Sequence, residues 1–203
     1  MKKVILSTIA LAAFTLIALT GKKPHTDVYK VDTQLSSLEW YAEKLSGKHN
    51  GTIMLSNGEI RNNHGGLSGF VEMDMNSIKN SDISHPPSKE KLENHLKSPD
   101  FFDAAKFPKS RFIITSTTPF TIVKTGGFTH NVKGNLTIKD KTNEISFDAI
   151  IKAESNKIIC TGSAVIDRSK FDVRYGSKTF FADIGEKIIY DEFTLKFNVI
   201  ANK

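Results

Sequence analysis

Residues 132–152 read VKGNLTIKDKTNEISFDAIIK, and this stretch decides the fold of the chain. Apolar and polar residues alternate on both sides of its centre, with Leu136 and Ile138 before the centre and Phe147 after it. A period of two indicates strands that have one buried face and one solvated face. The polar run 140–143 between the two halves predicts a chain reversal, so the two strands form an antiparallel hairpin.

The same alternation recurs from residue 28 to the C-terminus, for example in segments 38–42 and 193–199. Short reversals separate these strands: Asn57-Gly58 predicts a type I′ turn, and 126–127 and 155–156 mark two more. Helical periodicity of useful length is absent. The sequence therefore predicts an all-β fold, an antiparallel up-and-down β-barrel of about eight strands, whose closure removes exposed edges. The interior of such a barrel holds side chains or one slender ligand.

The tract 95–112, HLKSPDFFDAAKFPKSRF, interrupts the strand pattern. Its two prolines and its paired Phe101 and Phe102 make it a poor strand and a poor long helix. With a short helix predicted over Ser88–Leu96, capped by Ser88, the segment 88–110 is expected to cross one end of the barrel. Phe101 and Phe102 are then candidates for a lid over a binding site, or they simply close one end of a core.

The N-terminus, residues 1–23, has the layout of a secretory signal peptide, with a basic start and an apolar run over Val4–Leu19. This run is short for a membrane span, which needs roughly 20 residues. Lys22 stands where lipid attachment would need a cysteine, so a lipid anchor is not supported. We expect a single domain over residues 24–203, exported to the periplasm or secreted. An uncleaved N-terminal anchor is the alternative.

The charge of the chain argues against nucleic acid as a partner. Four of the 28 basic side chains lie in the acid-free leader, so the remainder carries 24 basic and 22 acidic side chains. A clustered basic face is the signature of nucleic-acid binding, and here the charges are scattered.

Catalytic and metal-binding patterns are weak. The six histidines show no i,i+2 or i,i+4 spacing, and Cys160 is the only cysteine, so no metal site, disulfide or cofactor is predicted. Phosphate loops and nucleophile elbows are absent from the sequence. We therefore expect no enzyme. A lipid-modifying enzyme that uses His95 or His130 as a general base is the least favoured alternative.

The apolar residues point instead to binding. The chain has 14 Phe against four Tyr and one Trp, and a long hydrocarbon inside a barrel needs such a lining. The bulky apolar members of the alternating strands are predicted to line a ligand: Trp40, Met54, Met73, Phe112, Phe147 and Phe197. A solidly packed barrel needs the same residues, so a structural or stress-related interaction module remains the alternative.

Two arginines near one strand end, Arg168 and Arg174, are predicted to lie on the same side of an extended segment. At a barrel mouth, their guanidinium groups would suit a phosphate or another anionic head group. The alternative is a surface ion-pair cluster with Asp167 and Asp172, which would contribute little stability.

Four ordered blocks of sequence carry a resemblance to a known family. They are HLKSPDFFD from His95 with the following Lys106-Phe-Pro, GNLTIK from Gly134, IDRSKF from Ile166 and DEFTLKFNV from Asp191. Together they resemble the YceI-like family of bacterial lipid-binding proteins, from about residue 28 to residue 201. The resemblance implies a periplasmic or secreted lipocalin-like barrel that encloses a polyisoprenoid or another long-chain lipid, without a catalytic residue.

The expected function is thus non-catalytic binding, transport or storage of an isoprenoid-type lipid or quinone, with peripheral membrane contact. The oligomeric state, a homodimer included, stays open. The chain departs from the family pattern at Leu92-Glu93, where many members have Arg-Asp, and at Ala42–Lys44, where many have a His. Because mouth residues select the head group, these departures leave its nature open.

Overall fold

The computed structural model describes residues 26–183 and 185–203, so the predicted leader lies outside the described residues. The described chain forms nine strands and one α-helix, together with short 3₁₀ helices at Arg168–Phe171 and Gly185–Lys187. The elements are β1 Asp27–Val31, β2 Ser37–Lys44, β3 Gly47–Asn63, β4 Gly66–Asn80, α1 Pro86–Lys97, β5 Lys109–Pro119, β6 His130–Ile138, β7 Lys141–Ala153, β8 Lys157–Asp167 and β9 Ile189–Asn202.

Strands β2 to β9 form a closed antiparallel barrel of eight strands. Each pairs with the next along the chain, and β2 closes the barrel against β9 through pairs such as Leu38–Phe197. The short β1 lies between β3 and β9 beyond the start of β2: Tyr29 pairs with Ile60 of β3, and Val31 pairs with Ala201 of β9. This architecture confirms the predicted all-β barrel.

One predicted turn is wrong. Asn57-Gly58 does not reverse the chain, because β3 runs through it with a bulge and the chain reverses at His64-Gly65 instead. A Cβ on Gly58 would lie 2.5 Å from Cγ2 of Val31, so the glycine allows β1 to pack closely there. Tertiary contact therefore sets the conformation of Asn57-Gly58, in spite of its turn-forming sequence.

The two ends of the barrel differ. We call the end covered by α1 the helix end, and the end with the β3–β4 turn and the β5–β6 loop the hairpin end. The predicted helix is confirmed over Pro86–Lys97, but its N-cap is His85 and no side chain caps it, so the capping role predicted for Ser88 is wrong. After α1, the tract with Phe101 and Phe102 forms turns that lead into β5, as predicted.

Buried Glu93 fastens α1 to the barrel. Its carboxylate accepts a hydrogen bond from the backbone N–H of Asn80 at 2.9 Å and pairs with Nζ of Lys79 at 3.0 Å. Burial alone would raise the pKa of Glu93, but the N–H of Asn80 and the ammonium of Lys79 outweigh it and leave the pKa lowered. The carboxylate is thus charged at neutral pH and holds the helix across the barrel end.

The wall has one weakly paired seam, between β7 and β8. These strands pair from Ala149–Gly162 toward the hairpin end. Toward the helix end, residues 144–148 of β7 and 163–167 of β8 form ladders with β6 and β9 and not with each other. The 3₁₀ helix Arg168–Phe171 follows β8, and its Phe171 is buried at 1 % exposure. Among the described residues, no helix is long and apolar enough to cross a membrane.

Candidate functional site

The inward faces of the strands leave an apolar cavity toward the hairpin end, which we call the hairpin-side cavity. It has a volume of about 100 Å³. Three rings from β5, β7 and β9 line it in a row: Phe112 and Phe147 have centroids 5.6 Å apart, and Phe147 and Phe197 have centroids 5.2 Å apart. Among the described residues that line it, only Thr117 and Cys160 are polar. Such a lining suits hydrocarbon and offers almost no hydrogen bonds.

A second cavity of about 90 Å³, the helix-side cavity, lies under α1. Trp40 and Met73 line its walls, and Phe101 and Phe102 from the loop after α1 complete it. The Trp40 indole is fixed by its Nε1–H, which donates to the carbonyl oxygen of Lys79 at 3.1 Å. The side chains of Phe101 and Phe102 therefore close this cavity on the side that faces the loop after α1.

The two cavities share part of their walls. Met73, Leu136 and Leu195 line both, and all three come from strands of the barrel wall. We call these three side chains the boundary. Since Met73 is unbranched and flexible, the boundary contains a side chain that adapts readily to a ligand.

Outside the helix-side cavity lies a larger recess of about 370 Å³, which we call the vestibule. It shares Trp40, Leu96 and Phe101 with the helix-side cavity, so these side chains stand between the apolar interior and the vestibule. Apolar side chains such as Leu92 and Ile189 line part of the rest. Charged and imidazole side chains also line it, with acids and bases mixed: Glu43, Lys44, His49, His95, Glu186 and Lys187.

The vestibule histidines have defined contacts. The ring of His95 lies edge-on to Tyr175 with centroids 4.4 Å apart and to Phe101 with centroids 5.9 Å apart. His49 Nδ1 lies 2.8 Å from Oδ2 of Asp82. These contacts link α1 and β3 to the neighbouring loops around the vestibule.

The ionisable groups show no catalytic arrangement in the described part of the chain. His95 lies at the helix end and His130 at the start of β6 near the hairpin end, where burial lowers the pKa of His130. Burial raises the pKa of Cys160 to about 12, so its thiol stays neutral in the cavity wall. No group of three potential metal ligands occurs among the described residues.

The structure places seven of the eight predicted lining and lid residues at the cavities: Trp40, Met73, Phe101, Phe102, Phe112, Phe147 and Phe197. Their role in ligand binding stays a prediction. Met54 was wrongly predicted to line the interior. It is 53 % exposed on the outer face, because its neighbours Ile53 and Leu55 take the inward positions of β3.

Arg168 is held in a different way from that predicted. Its side chain lines the helix-side cavity, yet its guanidinium donates to the backbone carbonyl oxygens of Val173, Tyr175, Ile189 and Tyr190 at 2.8–3.2 Å. Nη2 also lies 3.2 Å from Oδ1 of Asp191.

Desolvation lowers the pKa of Arg168 against the opposing effect of Asp191, and an arginine remains charged at neutral pH. Four of the five guanidinium N–H groups donate to backbone carbonyls, and Nη2 also faces the carboxylate of Asp191, so we correct the prediction for Arg168: it anchors the loop at the helix end. Arg174 is exposed, pairs with Asp172 and is not among the residues that line either cavity or the vestibule.

The sequence reasoning missed the boundary residues Leu136 and Leu195. Both lie in segments whose alternation was recognised, so the signal was present, but leucines were passed over for larger aromatics. The vestibule residues His49 and Lys187 carried no signal, because the fold brings together the start of β3 and the 3₁₀ helix Gly185–Lys187, which are distant in sequence.

Comparisons with known proteins agree with this fold. The family model for the YceI-like domain matches residues 29–201. The crystal structure of BcnA from Burkholderia cenocepacia is similar with a TM-score of 0.66 and 22 % identity, covering 85 % of this chain and 99 % of that protein. A polyisoprenoid-binding domain from Saccharophagus degradans, implicated in plant cell wall breakdown, is similar with a TM-score of 0.61 and 14 % identity, covering 86 % of this chain and 97 % of that domain. The search of curated proteins gave no match. The match over residues 29–201 shows that the chain belongs to the YceI-like domain family.

Proposed function

We propose that this protein binds a long-chain, isoprenoid-type lipid inside its barrel and carries or stores it without chemical change. The observation that carries the proposal is the pair of apolar cavities, which share the boundary of Met73, Leu136 and Leu195. A barrel that served only as a packed scaffold would fill this space with side chains, as protein interiors normally do.

The size of the cavities defines how a lipid would fit. An engineered cavity of about 150 Å³ in another protein binds a single benzene molecule. Each cavity here is smaller, at about 100 and about 90 Å³, so neither alone holds a long chain. A long chain would occupy both cavities after the boundary side chains turn aside. Met73 is suited to this movement, because a thioether chain has several accessible rotamers.

The vestibule is the proposed position of the head group. It adjoins the helix-side cavity at Trp40 and Phe101, and it offers both cationic and anionic side chains. A lipid whose tail follows the two cavities would present its polar end here. The mixed charge supports a neutral polar head such as a quinone at least as well as a phosphate.

The relatives and the N-terminal sequence support the same function. The similar domain from Saccharophagus degradans is described as polyisoprenoid-binding. The signal-like residues 1–23 support export, so we propose that the protein acts in the periplasm or outside the cell. The described residues that line the cavities include no cluster of acids, bases or nucleophiles, which supports a carrier over an enzyme.

The only tryptophan of the chain, Trp40, supplies the test because it lines the helix-side cavity. Delipidated protein is titrated with a long-chain prenyl quinone and with a quinone that has the same head group but no tail. The proposal predicts saturable quenching of Trp40 fluorescence by the long-chain quinone. The tailless quinone should bind at least about tenfold more weakly than the long-chain quinone. Equal, non-saturable quenching by both compounds would contradict it.

A further inference from the structure

The β5–β6 loop presents two apolar side chains to solvent, those of Ile122 and Val123, just before the loop reverses at residues 124–127; we call these two residues the tip. Ile122 is 80 % exposed, the most of any large apolar residue in the described part of the chain, and the adjacent Val123 is 60 % exposed. The two follow each other directly in the chain, whereas the exposed apolar residues of ordinary surfaces are scattered singly.

The loop holds these side chains in a defined position. The N–H of Phe120 donates to the carbonyl oxygen of Thr129 at 2.8 Å, and the N–H of Lys124 donates to that of Phe128 at 3.1 Å. The N–H of Gly127 donates to the carbonyl oxygen of Lys124 at 2.9 Å. Exposure of the tip is therefore a property of the folded loop and does not result from fraying.

The one charged residue of the loop is turned away from the tip. Nζ of Lys124 lies 3.0 Å from Oδ2 of Asp148 on β7 and 3.9 Å from the centroid of the Phe120 ring. The sequence has no Asp or Glu between Asp103 and Asp140. Burial of the tip in an apolar medium would thus desolvate no carboxylate of the loop.

We propose that Ile122 and Val123 insert into the surface of a lipid bilayer and dock the barrel there for exchange of its lipid. The inference rests on the proposed function, because an isoprenoid lipid resides in membranes. A stable protein interface buries on the order of 1,200 Å² or more on a complementary surface. Two side chains on one loop offer far less, whereas a bilayer accepts apolar side chains without a matching pocket.

The position of the loop gives the docked orientation. The loop joins β5 and β6 at the hairpin end. Its Lys124 contacts Asp148 of β7, next to Ala149, where the hydrogen-bonded pairing of β7 with β8 begins. Docking thus places the hairpin-side cavity nearest the membrane and the vestibule farthest from it. A lipid that enters with its head group first would leave its tail in the hairpin-side cavity.

Flotation with vesicles tests the proposal. Full-length mature protein is mixed with phosphatidylcholine vesicles, and the double variant Ile122→Ser with Val123→Ser is compared with Leu45→Ser. Leu45 is a matched control, since it is also exposed, at 55 %, and also lies outside the strands, but at the helix end, in the turn between β2 and β3. We expect binding of the parent and of Leu45→Ser, at least about tenfold weaker partitioning of the double variant, and little effect of added salt.

Three results would overturn the proposal: no parent binding to vesicles, equal binding of the double variant, or an equal loss in Leu45→Ser. The Trp40 titration separates this inference from the proposed function. Vesicle binding without quinone binding would contradict only the lipid-carrier function, and quinone binding without vesicle binding would contradict only the docking surface.

Discussion

Filling the hairpin-side cavity should stabilise the empty protein and abolish lipid binding at the same time. Ala164 on β8 lines this cavity, which has a volume of about 100 Å³. Ala164→Leu adds three carbon atoms to that space. At about 0.8 kcal/mol for each buried CH₂ group, they should raise the free energy of unfolding by roughly 2 kcal/mol. For a protein of this size, the melting temperature should rise by roughly 4–8 °C.

A matched control distinguishes empty space from packed core. Ala149 on β7 has 0 % exposure and is not among the residues that line either cavity. Ala149→Leu makes the same chemical change where neighbours already fill the space, and overpacking typically costs about 1–3 kcal/mol. The two variants should therefore change the stability of the delipidated protein in opposite directions.

The assay has two parts, thermal unfolding of delipidated protein and titration with a long-chain prenyl quinone followed by Trp40 fluorescence. Ala164→Leu should melt higher than the parent and bind the quinone at least about tenfold more weakly, because the new side chain takes the position of the tail. The reasoning is refuted if Ala164→Leu is destabilised as much as Ala149→Leu, or if it binds the long-chain quinone as tightly as the parent.

Three further predictions concern the boundary, the arginines and the fastening of α1. Met73→Phe should weaken the binding of long-chain prenyl lipids but not of short prenyl alcohols, whereas Met54→Phe on the outer face should leave the binding of both unchanged. Titrations of both variants with prenyl lipids of increasing chain length check this, and equal effects of the two substitutions on long-chain binding would contradict it. Arg168→Ala should cost about 3–5 kcal/mol in urea unfolding, because it leaves four backbone carbonyl oxygens and the buried Oδ1 of Asp191 without the guanidinium. Arg174→Ala should cost less than about 0.5 kcal/mol, because its ion pair is exposed; equal costs in the two variants would contradict this. The lowered pKa of Glu93 means that its stabilising effect is present above its ordinary value of 4.5 and is lost as the pH falls through the folded-state pKa. The protection of the α1 amides, measured as hydrogen exchange relative to the intrinsic rate at each pH, should therefore fall in acid, and it should fall less in Glu93→Gln; an equal fall in both would contradict this.

The strands and the barrel could be predicted because alternation is a local signal. In β7 and β9 each inward residue is followed by an outward one, so the inward positions of Phe147 and Phe197 could be predicted. Met54 failed because Ile53, Met54 and Leu55 are three apolar residues in succession, and such a run leaves the inward face undefined. Bulges on both sides of this run in β3 further shift the pairing with β4.

The arginine site could not be predicted, since the partners of Arg168 are backbone carbonyls distributed over residues 173–190. In the sequence, Arg168 and Arg174 look equivalent, with an aspartate near each. In the fold, one is 3 % exposed and the other is 59 % exposed. Burial and long-range hydrogen bonds therefore decide between an anchoring and a surface role, and neither is encoded by local spacing.

Native mass spectrometry of the exported protein, followed by solvent extraction of anything bound, tests the central claim most directly. The account predicts one lipid per barrel, released on unfolding, with a chain built from repeating isoprene units that spans the two cavities on either side of Met73. The account would be contradicted by a protein whose native mass equals that of the polypeptide alone and whose Trp40 fluorescence does not respond to any added prenyl lipid.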